Sequence, residues 1–210
     1  MQSTLASHTE YTLLQPGTTL REIEGLCRRA IENNIAAVCV PPLLVEKAKL
    51  FTSGTVVKVA TVIGYPYGYN VIEAKLAEII MAMVDGADEL DIVINMTALK
   101  NNDWQYLATE LNTILPVIRK KQKTIKIIIE MSLLSDEEVT KCCDLYGIAG
   151  VDYLSLSTGI EIKSPSIDLV SLVRSQLADA VGIKVNKPIR SDEEMEEFLQ
   201  AGVARIGKLV

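Results

Sequence analysis

Short apolar runs rich in β-branched residues alternate with helix-forming segments along the whole chain, and this alternation constrains the fold more than any other feature. The eight runs lie at residues 11–14, 35–40, 56–64, 89–95, 125–130, 151–157, 180–185 and 203–207. Continuous hydrophobicity of this kind is typical of strands buried on both faces of a parallel sheet. The run at 11–14, "YTLL", is the weakest of the eight. The pattern predicts a β/α repeat from end to end.

The segments between these runs carry signals for helix N-termini. The capping-box pattern, in which Ser or Thr is followed three residues later by Glu, occurs at Thr19/Glu22, Ser135/Glu138 and Ser191/Glu194. The dipeptide Ser164–Pro165 predicts another helix start, with Ser as the N-cap and Pro at the first helical position. We therefore expect helices between the successive strands.

Two architectures fit this repeat, a closed eight-stranded barrel and an open doubly wound sheet. No Gly-x-Gly-x-x-Gly or Walker A sequence follows any predicted strand, so the nucleotide-binding signature of the open type is missing. The strand count favours an α/β fold of the TIM (β/α)8 barrel type, with residues 1–210 forming a single domain. Because three residues follow Gly207, we expect the last covering helix to be absent or very short.

Composition and charge limit the partners. The formal charge of −6 does not predict a nucleic-acid surface, although a local basic pocket for a small phosphate remains compatible with it. No apolar stretch is long enough to span a bilayer, and the N-terminus lacks signal-peptide features, so no membrane association and a cytoplasmic location are expected. The four cysteines and single histidine show no ligand spacing, so neither a metal site nor a cofactor is predicted.

Reactive groups of a barrel lie at the C-terminal ends of its strands. Asp91 and Lys184 stand out there, because each is an ionisable group inside an otherwise apolar strand. They form either a structural ion pair across the barrel or an acid/base and amine set in a closed pocket. Glu130 is interpreted as a helix-start group or a loop anchor, and Cys39 as a pocket-lining residue or, preferably, core filling.

Several long blocks of the sequence resemble, in order and spacing, the deoxyribose-phosphate aldolases. They are "VATVIGYPYGYNVIEAK" (59–75), "DGADELDIVINMTALKNND" (85–103), "IKIIIEMSLLSDEE" (125–138), "GVDYLSLSTG" (150–159) and "VGIKVNKPIR" (181–190). The resemblance covers nearly the whole chain. It implies a TIM barrel and, for active members, a class I aldolase reaction in deoxyribonucleotide catabolism. In that reaction a lysine forms a Schiff base and 2-deoxyribose 5-phosphate is cleaved to acetaldehyde and glyceraldehyde 3-phosphate.

The resemblance also assigns roles to individual residues. Asp91 falls at the aspartate that helps proton transfer, and Lys184 at the second lysine, which lowers the pKa of the imine-forming amine. The imine-forming lysine itself belongs in a Lys-Thr-Ser-Thr-Gly stretch that here begins with Ser155. The residues assigned to substrate or phosphate binding are Cys39, Ser157, Thr158, Lys187, Arg190 and Gly207.

The chain departs from the family pattern at functional positions. A serine at 155 cannot form an imine, and Lys187-Pro188 replaces a Gly-Gly pair whose backbone N–H groups can approach a phosphate. Near the N-terminus, Glu10-Tyr11 stands in place of the family's Asp-His pair.

Three hypotheses follow from these departures. The chain is a weak aldolase whose imine forms on Lys184, with a small phosphorylated sugar or aldehyde as ligand; a non-catalytic barrel that binds a small ligand or a protein; or a lyase for a different substrate. A homodimer is also expected, because a partner subunit could cover the barrel wall left open by a missing last helix.

Overall fold

The computed structural model of the protein describes residues 2–160 and 165–210. Eight parallel strands form one closed barrel in sequence order, which confirms the predicted TIM-barrel class. The strands are β1 Thr9–Thr12, β2 Ala37–Val40, β3 Lys58–Ile63, β4 Glu89–Val93, β5 Thr124–Ile128, β6 Tyr153–Ser155, β7 Gly182–Lys187 and β8 Val203–Leu209.

Helices cover the outside of this barrel. They are α1 Gln2–Ser7, α2 Leu20–Glu32, α3 Val45–Phe51, α4 Ile72–Val84, α5 Met96–Lys100, α6 Trp104–Lys120, α7 Asp136–Ala149, α8 Ile167–Gln176 and α9 Asp192–Gln200. Two 3-10 turns lie at Pro42–Leu44 and Met131–Leu133. Within the described ranges, no helix follows β8. No helix there is both long and apolar enough to cross a membrane.

The predicted helix starts hold in part. The boxes at Thr19/Glu22 and Ser135/Glu138 form with both of their hydrogen bonds. The box predicted at Ser191/Glu194 is wrong in one half: Ser191 caps the backbone N–H of Glu194, but the Glu194 carboxylate binds Lys187 and the Arg190 backbone instead.

The N-terminus of α8 also differs from its prediction. Ser164 lies outside the described residues, and the described helix begins at Ile167 with Ser166 as its N-cap, whose hydroxyl accepts from the Leu169 N–H. The helix therefore begins two residues after Pro165.

Along each strand, successive side chains point alternately into the barrel and outwards into the core between strands and helices. In β4, Leu90 and Ile92 point outwards into the large apolar core between strands and helices, whereas Glu89 and Asp91 point into the barrel. A small apolar cluster of Cys39, Ala60 and Val62 shares the barrel interior with these charges. The barrel interior therefore combines a few apolar side chains with several ionisable ones.

Candidate active site

Six charged side chains meet in the barrel interior. The three carboxylates and three cations balance, and each residue is at least nine-tenths buried; they are Glu10, Glu89, Asp91, Lys126, Lys184 and Arg205. Buried ions are tolerated when they are paired in this way, whereas a missing partner leaves an uncompensated charge at a cost of several kcal/mol. The charges in the barrel interior therefore neutralise one another.

Lys184 lies at the centre of this network. Its ammonium group donates to Glu10 Oε1 and Asp91 Oδ2, and its side chain is 1% exposed. Burial alone would lower the pKa of Lys184, but the carboxylates of Asp91 and Glu10 more than offset this and raise it. The nitrogen is thus held as an ammonium ion, which has no lone pair for attack on a carbonyl carbon.

Lys126 binds the same carboxylates from β5. Its Nζ lies 2.7 Å from Glu10 Oε2, 2.6 Å from Glu89 Oε2 and 2.9 Å from Asp91 Oδ1. Burial lowers its pKa, but the three carboxylates raise it well above the ordinary lysine value. Arg205 adds a weaker contact, with Nη1 3.6 Å from Glu89 Oε2.

A one-residue irregularity between β7 and β8 places Arg205 beside Lys184. Ile183 pairs with Val203 but Lys184 pairs with Arg205, so Ala204 is an extra residue in β8. The extra residue turns Arg205 into the barrel, where it meets Glu89.

Ser155 is fully buried at the end of β6 and lies beside the side-chain amide of Asn186 from β7. Asn186 Nδ2 donates to Ser155 Oγ at 3.2 Å and to the Ser157 carbonyl oxygen at 2.7 Å. The Ser157 hydroxyl donates to the Asn186 carbonyl oxygen at 2.8 Å. Among the described residues, no histidine, lysine or carboxylate is a hydrogen-bond partner of Ser155, so none of them acts as a base on this serine through a hydrogen bond.

Glu130 anchors the loop after β6, which decides between its two interpretations. Its Oε2 accepts from the Thr158 backbone N–H at 2.9 Å and from the Thr158 hydroxyl at 2.7 Å. Ser132 donates to Oε1, and the Tyr65 hydroxyl donates to the Thr158 carbonyl oxygen. Thr158 therefore holds the loop at the mouth of the barrel.

Cys39 faces the barrel interior from β2. Its sulfur lies with the carboxylate oxygens of Glu10 and Asp91 in a group whose atoms are all within 4.8 Å of one another. Such a spacing could hold a metal ion, but the Lys184 ammonium already pairs with both carboxylates. Burial, with Glu10 and Asp91 nearby, raises the pKa of the Cys39 thiol well above its usual value, so the thiol stays protonated.

Lys187 and Arg190 lie away from this interior. Because Lys184 and Asn186 point into the barrel, Lys187 points outwards, where its Nζ lies 2.6 Å from Glu194 Oε1 and 4.4 Å from the centre of the Phe198 ring. Arg190 is exposed, and its backbone N–H donates to Glu194. Gly207 does face inwards and lies against Asn186.

A cavity of about 170 Å³ lies at the mouth of the barrel. No charged side chain of the described residues lines it; the lining residues are Thr12, Leu14, Gln15, Pro16, Tyr65, Gly159, Ile160, Leu209 and Val210. The mouth therefore offers a small and mainly apolar space above the charged network.

Three members of the network were not predicted from the sequence, namely Lys126, Glu89 and Arg205. Glu10 was identified only as a departure from the family pattern. Lys126 carried a usable signal, because it lies inside the apolar run "IKIIIE" just as Asp91 lies inside "ELDIVI". Glu10 carried no such signal, since its strand "TEYT" is short and polar.

The network predicts a dependence of stability on acid. Burial raises the pKa of Glu10, but Lys126 and Lys184 lower it well below its usual range. A depressed carboxyl pKa contributes stability above the unfolded value of about 4.3 and loses it as the pH falls towards the folded value. In urea unfolding at successively lower pH, we expect the free energy of unfolding to fall more steeply for the wild type than for Glu10→Gln. Equal slopes would contradict the assignment.

Comparisons with known proteins identify the family. Residues 5–165 match the sequence profile described as DeoC/LacD family aldolase. The deoxyribose-phosphate aldolase of Clostridium perfringens is 38% identical over 203 residues, which is 97% of this chain and 90% of that protein.

Solved structures give the same result. The tetrameric deoxyribose phosphate aldolase of Aeropyrum pernix superimposes with a TM-score of 0.90 at 27% identity, over 99% of this chain and 88% of that one. An aldolase called QR15 gives a TM-score of 0.90 at 32% identity, over 97% and 90% of the two chains. This chain therefore belongs to the deoxyribose-phosphate aldolase family.

Proposed function

We propose that this protein does not form a Schiff base and that its barrel instead binds a small uncharged ligand without covalent chemistry. The observation that carries the proposal is the Lys184 ammonium between Glu10 and Asp91, together with a serine at position 155. The balanced network of six charges then serves to stabilise the fold, as the structural interpretation of Asp91 and Lys184 expects.

A relocated imine on Lys184 fits the geometry less well. An amine with the reference lysine pKa of about 10.4 is neutral at pH 7 in fewer than roughly one molecule in a thousand. The pKa of Lys184 is raised further, because two carboxylates favour its charged form. Its 1% exposure also leaves no path for a carbonyl compound to reach the nitrogen without rearrangement of the side chains around it.

The shape and polarity of the mouth support an uncharged ligand. Among the described residues, the lining of the 170 Å³ cavity includes no cation that could bind a phosphate group. Lys187, one of the residues assigned to substrate or phosphate binding, pairs with Glu194. Arg190 is exposed and lies outside the lining. A dry apolar cavity of about 150 Å³ accommodates a molecule the size of benzene. A ligand of about six or seven non-hydrogen atoms is therefore proposed in place of a phosphorylated sugar.

The absence of imine chemistry is tested by borohydride trapping. Wild-type protein and the Clostridium perfringens aldolase are incubated with acetaldehyde or deoxyribose 5-phosphate, reduced, and mapped by peptide mass spectrometry. We expect an active-site lysine adduct in the relative and none on Lys184, and Lys184→Met should match the wild type in its remaining surface labelling. An adduct on Lys184 would contradict the proposal.

The binding claim has its own measurement. Toluene should bind weakly, with a Kd on the order of 1 mM, as judged by chemical-shift changes of residues that line the mouth. Leu209→Trp fills the cavity and should abolish these changes while leaving the folded spectrum elsewhere intact. Binding that survives in Leu209→Trp would place the ligand elsewhere.

Cytoplasmic location and a homodimer remain predictions of the sequence. A homodimer would be detected by sedimentation at micromolar concentration.

A further inference from the structure

The loop between β3 and α4, residues 64–71, contributes Tyr65 to the lining of the mouth cavity. The Tyr65 ring also packs against the small apolar cluster in the barrel interior. Its hydroxyl donates to the Thr158 carbonyl oxygen at 3.1 Å. Because this ring is the largest side chain in the lining, its position decides how much of the mouth is open to a ligand.

One carboxylate of α4 ties both ends of this loop. Glu78 Oε2 accepts from the Gly64 backbone N–H at 2.7 Å, and Glu78 Oε1 accepts from the Asn70 side-chain amide. Hydrogen bonds to a carboxylate are stronger than those between neutral groups. Gly64 directly precedes Tyr65, so Glu78 fixes the backbone from which the ring projects.

A buried ion pair supports the loop from the side of the barrel wall. Lys75 of α4 is fully buried, and its Nζ lies 2.6 Å from Glu110 Oε1 and 2.7 Å from the Val93 carbonyl oxygen. A Cβ placed on Gly64 would be 2.9 Å from Lys75 Cε, so the loop rests directly on this lysine. The loop therefore cannot move towards the wall, and the two hydrogen bonds of Glu78 oppose movement away from it.

We propose that Glu78 is a positioning residue for ligand selection: it holds Tyr65 at the mouth and thereby limits the cavity to a molecule of about the size of toluene. Glu78 does not itself line the cavity and acts through the loop that it ties. This inference rests on the proposed function and adds the residue that sets the size of the ligand.

The test compares toluene with indole, a larger uncharged molecule with a fused second ring, using titrations followed by NMR. We expect the wild type to bind toluene at least about fivefold more tightly, because a ligand too large for its cavity displaces the side chains around it. Glu78→Ala frees the loop and should reduce this ratio to about twofold or less, mainly through tighter binding of indole. Glu78→Gln keeps the length of the side chain but offers one acceptor oxygen, so it should give an intermediate ratio. It also serves as the second variant should Glu78→Ala fail to fold.

Substitution of Tyr65 shows whether Glu78 acts through that ring. Tyr65→Ala opens the mouth directly and should by itself reduce the ratio to about twofold or less. Glu78→Ala in the Tyr65→Ala background should change the ratio no further, since residues that act through one contact are not additive. A further change in the double variant would mean that Glu78 acts by another route and would overturn the inference.

Asp88→Ala is the matched control, because Asp88 is also a carboxylate that accepts from a backbone N–H, near the other end of β3. Its Oδ2 accepts from the Val59 N–H at 3.0 Å. We expect this variant to lower Tm and to leave the ratio unchanged. The ring position is measured separately: nuclear Overhauser effects between the Tyr65 ring and the methyl groups of Ala60 and Val62 should weaken in Glu78→Ala and persist in Asp88→Ala.

Equal affinity of the wild type for toluene and indole would overturn this inference and leave the proposed function standing. An unchanged ratio in Glu78→Ala would also overturn it, whether or not the ring moves. Failure of both probes to bind the wild type would overturn both proposals.

Discussion

Lys126→Met is expected to lower the free energy of unfolding by about 3–5 kcal/mol, the largest stability effect of any single substitution considered. Lys126 contacts three buried carboxylates within 2.9 Å, and its side chain is fully buried. Removal of its charge leaves Glu10, Glu89 and Asp91 with only Lys184 and Arg205 as counter-charges. Methionine fills most of the volume, so the loss reports the charge and not a cavity.

Urea unfolding at pH 7 measures this effect, with Lys47→Met as the matched control. Lys47 is about half exposed and its nearest carboxylate is 3.7 Å away, so its replacement should cost less than about 0.5 kcal/mol. A loss below about 1 kcal/mol for Lys126→Met would mean that the carboxylates find other partners or take up protons.

Ser155→Lys is expected to be trapped by borohydride at position 155, whereas we propose that the wild type forms no imine. Position 155 pairs with Lys184 across β6 and β7 and is fully buried. Within the described ranges, the hydrogen-bond partners of Ser155 include no carboxylate, and the nearby Lys184 already binds Glu10 and Asp91. Burial and a neighbouring ammonium ion both lower the pKa of an introduced amine, which increases its neutral fraction.

The gain is measured by peptide mass spectrometry after reduction with acetaldehyde present, with Ser155→Met as the control of similar length. Because Asn186 occupies the adjacent space, Ser155→Lys combined with Asn186→Ala should give at least as much adduct. If both lysine variants fold and neither is labelled at position 155, the pocket has changed in more than the nucleophile.

The sequence predicted the barrel well because local signals dominate it. The eight apolar runs and the capping boxes at Thr19 and Ser135 depend on neighbours a few residues apart. The structure has eight strands and both of these boxes. Asp91 and Lys184 were found because a charge inside an apolar strand is costly.

Which of these charged residues contact one another could not be predicted from local sequence. Glu10 pairs with Lys126 and Lys184 across 116 and 174 residues, and only closure of the barrel brings those positions together. The direction of Lys187 was readable in principle, since alternation from an inward Lys184 places Asn186 inwards and Lys187 outwards.

The protonation state of Lys184 tests most directly whether this lysine can form an imine. It is followed by ¹H–¹⁵N correlation of the lysine Nζ groups, with Lys184→Arg used for assignment. We expect an ammonium signal at Lys184 that persists to higher pH than the signals of exposed lysines, since Asp91 and Glu10 raise its pKa. Titration of this group between about pH 6 and 8, where an imine-forming lysine operates, would contradict it.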